Sequence, residues 1–188
     1  MNLADGFKRL IDALDSLGIP YIIGGSVASS IHGIPRMTND VDLVADIKWN
    51  QVDAFADALR PDFYADEDLM KSAVRLGRSF NVIHFKSAYK FDIFPLAGSP
   101  FRAAEFARRA MVKSPQFGEI EFPVASAEDT LLSKLEWFRQ GGEVSDRQWN
   151  DIVGIIRIRA GELDLEYLRR WAAELRVSDL LESALSQP

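Results

Sequence analysis

Three aspartates carry the strongest chemical signal in the chain. Asp40 and Asp42 stand one residue apart in "DVDLVAD", residues 40–46, an apolar run that predicts a β-strand. Side chains alternate along a strand, so both carboxylates point to one face, about 6.6 Å apart at about 3.3 Å per residue. Asp92 stands between two apolar residues in a second strand-like run, "YKFDIFPL". If the two strands are neighbours in one sheet, three carboxylates converge on one surface.

Carboxylates that lie side by side repel each other unless positive charge lies between them. The chain has no cysteine and only two histidines, so any metal must be held by oxygen ligands, which favours Mg²⁺ or Mn²⁺ over zinc. Three carboxylates can hold two divalent ions, an arrangement suited to in-line phosphoryl chemistry. The alternative reading makes one of Asp40 and Asp42 a turn cap, and leaves the other, like Asp92, facing solvent.

A glycine–serine turn precedes the aspartate pair. Gly24, Gly25 and Ser26 follow the strand-like "YII" and precede a short predicted helix. Glycines let backbone N–H groups approach a ligand closely, and the N-terminus of a helix attracts anions. Ser26 adds a hydroxyl. The turn therefore predicts a phosphate-binding site, although the lysine of the Walker pattern is missing, and the alternative is a plain strand-to-helix turn.

The remaining elements predict an α/β (α+β) fold. Its small mixed β-sheet is flanked by helices and followed by a C-terminal helical bundle. We divide the chain into a catalytic domain, residues 1–124, and a helical domain, residues 125–188. Apolar spacing, caps and stops predict helices over 3–17, 49–59, 66–75 and 99–110, a hairpin over 80–96 with its turn at 86–90, a strand over 118–124, and four helices from 126 onward.

Composition excludes several classes of function. The 188 residues are 47% hydrophobic, which is ordinary for a folded protein, and the absence of cysteine excludes disulfides and thiol catalysis. A net charge of −6 does not supply the broad basic surface of a sequence-independent DNA binder, although a local basic patch remains compatible with it. No apolar run approaches the roughly 20 residues of a membrane span, and the acidic start is unlike a signal peptide. We expect a cytoplasmic protein without a membrane partner.

Taken in order, the turn "GGS", the pair "DVD" and the later "FD" resemble the nucleotidyltransferase superfamily, which has the DNA polymerase β-like fold. The thirteen residues 27–39 separate the turn from Asp40, at the long end of the spacing in that superfamily. The chain looks most similar to the bacterial AbiEii-type and MenT-like nucleotidyltransferases of toxin–antitoxin systems. Arg36-x-Thr38-x-Asp40-x-Asp42 carries that likeness, which covers most of the chain.

The helical part matches the same relatives more loosely. Lys134, and Arg147 with Asp151, look like the lysine, basic residue and aspartate of their helical motif. Gln148 stands where many relatives have an acid, so this motif is degenerate. Considered alone, Lys134 and Asp151 can equally be solvated helical residues, and Arg36 can reach a phosphate or pair with an acid.

The resemblance implies a Mg²⁺-dependent enzyme, with two Mg²⁺ or Mn²⁺ ions, that moves a nucleoside monophosphate from an NTP such as ATP to an acceptor hydroxyl. It implies a tRNA or other RNA as acceptor and a cognate antitoxin protein as partner. The implied metal-binding and catalytic residues are Asp40, Asp42 and Asp92. The implied nucleotide-binding residues are Gly24, Gly25, Ser26, Arg36, Lys134 and Asp151.

Two other readings remain open. The acceptor can instead be a partner protein or a small molecule such as an antibiotic. A protein of another class, a non-catalytic nucleotide-binding or regulatory protein of the same fold, would need no acceptor. The presence of all three aspartates argues against this last reading.

Overall fold

A computed structural model of the chain describes residues 3–96, 98–118 and 120–187. Across these residues the helices are α1 (Leu3–Ser16), α2 (Gly25–His32), α3 (Val52–Leu59), α4 (Glu67–Leu76), α5 (Pro100–Ala107), α6 (Ala127–Gln140), α7 (Asp146–Ile158), α8 (Leu165–Glu174) and α9 (Ser178–Leu185). The strands are β1 (Tyr21–Ile23), β2 (Asp40–Ala45), β3 (Phe63–Tyr64), β4 (Phe80–His84), β5 (Lys90–Pro95), β6 (Ala110–Lys113) and β7 (Glu121–Val124). None of these helices combines the length and the apolar character that crossing a membrane requires.

The strands form one mixed sheet in the order β3-β4-β5-β2-β1-β7-β6. Strand β2 runs parallel to β5, and β1 runs parallel to β7, whereas the other neighbours are antiparallel. The predicted α/β fold with a mixed sheet, flanking helices and a helical C-terminal part is confirmed. The condition set on the aspartates is also met, because β2 and β5 are neighbours in the sheet.

The chain forms two compact units. The first contains the described residues of 3–23 and 38–124, with the whole sheet. One face of its central strands is fully buried, because the apolar residues that alternate with the aspartates have at most 1% of their surface exposed: Val41, Leu43, Phe91 and Ile93. Helix α1 contributes Phe7, whose ring lies 4.2 Å from that of Phe117 and 4.9 Å from that of Phe122, measured between centroids.

The second unit contains residues 24–37 and 125–187. In it α2 packs against α6 and α7, and α8 and α9 complete the helical group. Helix α6 begins as predicted, because the hydroxyl of Ser126 accepts a hydrogen bond from the backbone N–H of Asp129 at 3.1 Å. The predicted domain division at residue 124 remains a proposal.

Predicted boundaries around residues 107–121 differ from the structure. The helix predicted over 99–110 ends at Ala107, and Ala110–Lys113 form β6 instead. This strand pairs antiparallel with β7 at the edge of the sheet, so pairing with a neighbour overrides local helix propensity. The strand predicted over 118–124 is seen at Glu121–Val124, while Glu119 lies outside the described residues.

A close approach between α2 and α7 gives a test of the packing in the second unit. A Cβ atom added at Gly33 would lie 2.9 Å from the backbone nitrogen of Ile155 and 3.1 Å from the carbonyl carbon of Gly154. Because backbone atoms cannot rotate away, Gly33→Ala should lower the free energy of unfolding by about 1–3 kcal/mol. Urea denaturation measures this change. Gly98→Ala is the control, since no heavy atom lies within 4 Å of its added Cβ, and an equal loss in both variants would contradict the packing.

Candidate active site

The three predicted aspartates lie on one face of two adjacent strands. In the parallel pairing of β2 with β5, Asp42 stands directly opposite Asp92, and Asp40 stands opposite Lys90. Neighbouring strands lie about 4.8 Å apart, so Asp42 and Asp92 are side by side. All three aspartates are partly exposed, while the residues between them are buried. The sheet therefore brings together the carboxylates that the sequence placed on separate strands.

Asp40 is held in position by the residue two before it in the chain. The hydroxyl of Thr38 donates to a carboxylate oxygen of Asp40 at 2.7 Å, and it also lies 3.0 Å from the backbone carbonyl of Asp40. Thr38 is 8% exposed, so its hydroxyl is fixed by its surroundings. Thr38 thus orients the first carboxylate of the pair, a role that its place in the Arg-x-Thr-x-Asp-x-Asp run does not reveal by itself.

Lys90, which the sequence predicts in a turn, belongs to this face. Lys90 is the first residue of β5, and its ammonium lies 2.6 Å from a carboxylate oxygen of Asp92. The hydrogen bond to Asp92 raises the pKa of Lys90, and the nearby charges of Asp40 and Asp42 act in the same direction. The period of two along the strand was the available signal, since Lys90 and Asp92 must share a face.

The ligand type and the strand register on this face both fit a hard divalent cation. Carboxylate oxygens are the ligands that Mg²⁺ and Mn²⁺ prefer, and three carboxylates lie on this face, with the ammonium of Lys90 beside Asp92. Over the described ranges, however, no group of three or more histidine, aspartate or glutamate side chains is already gathered around one metal position. Because the strand register sets the backbone positions, side-chain rotation is the movement that would bring these oxygens together.

The predicted nucleotide-binding residues form a second group, in the second unit. Gly24 precedes α2 as its N-cap and supplies no side-chain cap, while Gly25 adopts φ of 53°, in the left-handed region that favours glycine. A Cβ atom at Gly24 would meet no heavy atom within 4 Å. Ser26 follows in the first turn of the helix. The turn has the open backbone and helix N-terminus expected of an anion site.

An ion-paired cluster lies beside this turn. The guanidinium of Arg36 donates to both carboxylate oxygens of Asp151, at 2.8 and 2.9 Å, and to the hydroxyl of Ser26 at 2.6 Å. The ammonium of Lys134 donates to Asp151 at 2.7 Å. The sequence allows Arg36 either to contact a phosphate or to pair with an acid. In the structure Arg36 pairs with Asp151. Arg36, Lys134, Asp151 and Ser26 are thus brought together from α2, the segment after it, α6 and α7.

Burial makes this cluster electrostatically strong. The side chains of Asp151 and Lys134 are 6% and 8% exposed, whereas that of Arg36 is 25% exposed. Burial alone would raise the pKa of Asp151, but the hydrogen bonds from Arg36 and Lys134 outweigh it and hold this pKa below its usual value. Two cations share one carboxylate, and the more exposed of them, Arg36, also reaches Ser26 at the glycine turn.

The arginines of the C-terminal helices are engaged within the second unit. Arg159 pairs with Glu162 at 3.2 Å, and Arg169 pairs with Glu182 at 2.8 Å. The guanidinium carbon of Arg170 lies 5.1 Å from the centroid of the Trp171 ring. Arg159 and Arg169 are therefore paired with acids, and Arg170 lies over an aromatic ring.

Comparison with known proteins identifies the fold. The solution structure of the antibiotic-resistance factor ANT(2'')-Ia aligns with a TM-score of 0.57 at 15% identity, over 96% of this chain and 94% of that chain. The crystal structure of ANT(2'')-Ia in complex with adenylyl-2''-tobramycin aligns with a TM-score of 0.55 at 14% identity, over 92% and 96%. A nucleotidyltransferase-like antigenic protein from Paracoccidioides brasiliensis aligns with a TM-score of 0.53 at 20% identity, over 96% and 91%.

These three structures are similar to the chain over nearly its whole length, so the chain has the nucleotidyltransferase fold. At the level of sequence, no protein-family model and no curated protein matches it. The likeness to AbiEii-type and MenT-like proteins in particular stays a prediction.

Proposed function

We propose that this protein is a Mg²⁺- or Mn²⁺-dependent nucleotidyltransferase that moves a nucleoside monophosphate from an NTP to an acceptor hydroxyl. The observation that carries the proposal is the register of β2 and β5, which sets Asp42 beside Asp92 and Asp40 on the same face. The nucleotidyltransferase fold around these strands supports it. A cytoplasmic location, where NTPs are made and used, is part of the proposal.

The carboxylate face has three tasks in this reaction. Asp40, Asp42 and Asp92 would hold divalent cation, and Asp92 also accepts the proton of the acceptor hydroxyl on a carboxylate oxygen. The acceptor oxygen forms a bond to the α-phosphorus while the bond to pyrophosphate breaks. A bound divalent ion would supply charge neutralisation at the phosphates. The protein itself contributes mainly orientation and fixed charge, which are the chief requirements of phosphoryl-type transfer.

The glycine turn and the cluster beside it form the proposed seat for the β- and γ-phosphates. Gly24 and Gly25 stand at the start of α2, where the backbone N–H groups of a helix lack intrahelical partners, and Ser26 supplies a hydroxyl. Arg36 contacts Ser26 and is the more exposed cation, so its guanidinium is suited to touch phosphate directly. Lys134 and Asp151 are nearly buried: Asp151 holds Arg36 at the turn, and Lys134 offsets the charge of Asp151, so the three groups together keep one net positive charge.

The identity of the acceptor distinguishes three versions of the proposal. A small hydroxyl compound is favoured by two observations: ANT(2'')-Ia is seen with an adenylylated antibiotic, and the arginines 159 and 169 are neutralised by glutamates. A tRNA or other RNA acceptor, with a cognate antitoxin as partner, rests on the resemblance to toxin–antitoxin nucleotidyltransferases. A partner protein is the third acceptor class to be tested.

Calorimetric titration with ATP, CTP, GTP and UTP, each with and without Mg²⁺, tests the proposal at its first step. We expect at least one NTP to bind in the presence of Mg²⁺. Incubation with the same nucleotides labelled on the α-phosphorus, together with an aminoglycoside panel, total RNA or whole-cell protein, then identifies the acceptor. Absence of binding in every combination would overturn the enzyme reading, and binding without transfer to any acceptor would favour the non-catalytic nucleotide-binding protein.

Replacing Arg36 tests the phosphate seat. Arg36→Met removes the guanidinium beside Ser26, and we expect the affinity for MgATP, or for whichever NTP binds, to fall about tenfold to a hundredfold, as for a lost charge-assisted hydrogen bond. Arg169→Met is the matched control, because it removes an arginine of the same unit that pairs with Glu182. Equal affinities for Arg36→Met and the unmodified protein would place the phosphates elsewhere.

A further inference from the structure

The ammonium of Lys90 lies among the carboxylates that the proposed function assigns to divalent cation. It is 2.6 Å from Asp92 and stands opposite Asp40 in the strand register. Lysine carries its charge at the end of a flexible stem of four carbons, so the ammonium can move by several ångströms while the backbone stays in place. The side chain of Lys90 is 43% exposed, which leaves it room to do so.

Stability alone does not account for a lysine at this position. Ion pairs of this exposure contribute little to folding. The position has instead a clear electrostatic effect, because a positive charge at Asp92 lowers the negative potential that a divalent ion would experience there. Lys90 and a cation bound by Asp92 therefore compete for the same carboxylate.

We propose that Lys90 is a built-in counter-ion that occupies Asp92 before a divalent cation binds and that must leave this carboxylate when the cation arrives. The inference rests on the proposed function, since it assumes that the face of Asp40, Asp42 and Asp92 binds divalent cation. Lys90 is a positioning residue in this scheme. It stabilises the neighbouring carboxylates in the metal-free protein. By competing for Asp92, it raises the concentration of divalent cation that is needed for binding.

Binding of Mn²⁺ measured by electron paramagnetic resonance, in the full chain without nucleotide, tests the proposal. Lys90→Met should bind Mn²⁺ about tenfold more tightly than the unmodified protein, the effect expected of one unit charge at short range in a partly solvated site. Lys90→Arg keeps the charge and should bind Mn²⁺ as the unmodified protein does. Lys86→Met is the matched control, because Lys86 is an exposed lysine in the turn of the same hairpin.

A second measurement separates competition from a purely structural role. In EDTA, Lys90→Met should unfold at a lower temperature than the unmodified protein, because its carboxylates lose their counter-ion. Saturating Mn²⁺ should remove that difference, which a loss of packing would not allow. Asp42→Asn added to Lys90→Met should abolish the tight Mn²⁺ binding and so assign it to this face.

The outcomes separate this inference from the function on which it rests. If the unmodified protein binds Mn²⁺ and Lys90→Met binds it equally or more weakly, the competition is overturned and the metal site stands. If Lys90→Met binds Mn²⁺ and the unmodified protein does not, Lys90 excludes the ion outright and the inference is supported. If neither protein binds Mn²⁺, the metal site and the inference fall together.

Discussion

Asp42→Asn should lower the rate of nucleotide transfer by about a thousandfold or more while leaving the fold intact. Asp42 is the aspartate that stands directly beside Asp92 in the register of the sheet. Replacing its carboxylate by an amide of the same shape removes one negative charge and one proposed metal ligand from the proposed site of phosphoryl chemistry. The rate is measured under single-turnover conditions with saturating NTP, once the acceptor is known. Mn²⁺ affinity, measured without an acceptor, should fall as well.

The fold should survive because the substitution relieves repulsion between neighbouring carboxylates. We therefore expect the unfolding temperature of Asp42→Asn in EDTA to be equal to or above that of the unmodified protein. Asp46→Asn is the matched control: Asp46 directly follows β2 and pairs with Lys48 at 2.5 Å, and its loss should change the transfer rate by less than about twofold. Transfer at the normal rate by Asp42→Asn would show that the carboxylate face is not the catalytic site.

Asp151→Asn should be the most destabilising single substitution in the ion-paired cluster. The change leaves Lys134, 8% exposed, and Arg36, 25% exposed, without the carboxylate that neutralises them. Breaking a buried ion pair from one side costs about 3–5 kcal/mol, which corresponds to a fall of roughly 10 °C in unfolding temperature for a chain of this size. Urea denaturation at pH 7 measures the loss. Asp179→Asn, in an exposed pair with Arg139, should have no measurable effect.

A triple variant tests why Asp151→Asn is unstable: because it leaves buried charges unpaired, or because it loses a shape-specific contact. Removing all three charges, in Arg36→Met, Lys134→Met and Asp151→Leu together, should recover most of the stability that Asp151→Asn loses, because apolar replacements of a buried ion cluster are often neutral or better. Nucleotide affinity should not recover, since Arg36 is missing. A triple variant as unstable as the single one would mean that shape, and not charge, is what Asp151 supplies.

Acid provides an independent check on the same carboxylate. The pKa of Asp151 in the folded protein is lowered, so the stability it contributes is fully present above the ordinary value of about 3.9 and is lost as the pH falls through the lower folded pKa. The difference in unfolding free energy between the unmodified protein and Asp151→Asn should therefore be constant from pH 7 to about pH 5. It should shrink only below about pH 4.

The carboxylate face was predictable because each piece of it is a local pattern. The alternation of charged and apolar residues fixed the faces of Asp40, Asp42 and Asp92, and the adjacency of β2 and β5 was the one condition left to tertiary structure. Helix α6 was predictable for the same reason, because a serine caps its start and glycines follow its end. Lys90 was missed because the predicted strand began after it, although the period of two sets Lys90 on the face of Asp92.

The cluster around Asp151 could not be predicted from local sequence patterns. Its members lie far apart in sequence, at residues 26, 36, 134 and 151, and no spacing rule joins them. The resemblance to a family suggested all four as nucleotide-binding residues, but it did not indicate that Asp151 pairs with both Arg36 and Lys134. Strand β6 was missed for a similar reason, because its hydrogen bonds are made with β7 and leave no mark in its own composition.

The path of the chain has a consequence for recombination between related genes. Residues 24–37 belong to the same compact unit as residues 125–187, although a stretch of eighty-seven residues, 38–124, separates them in the gene. The two stretches are matched in detail, since Gly33 fits against α7 and Arg36 pairs with Asp151. A single crossover between related genes within 38–124 would unite the early stretch of one parent with the late stretch of the other. We expect such hybrids to fold only when the parents agree at these contacts, and viable exchanges to carry both stretches together.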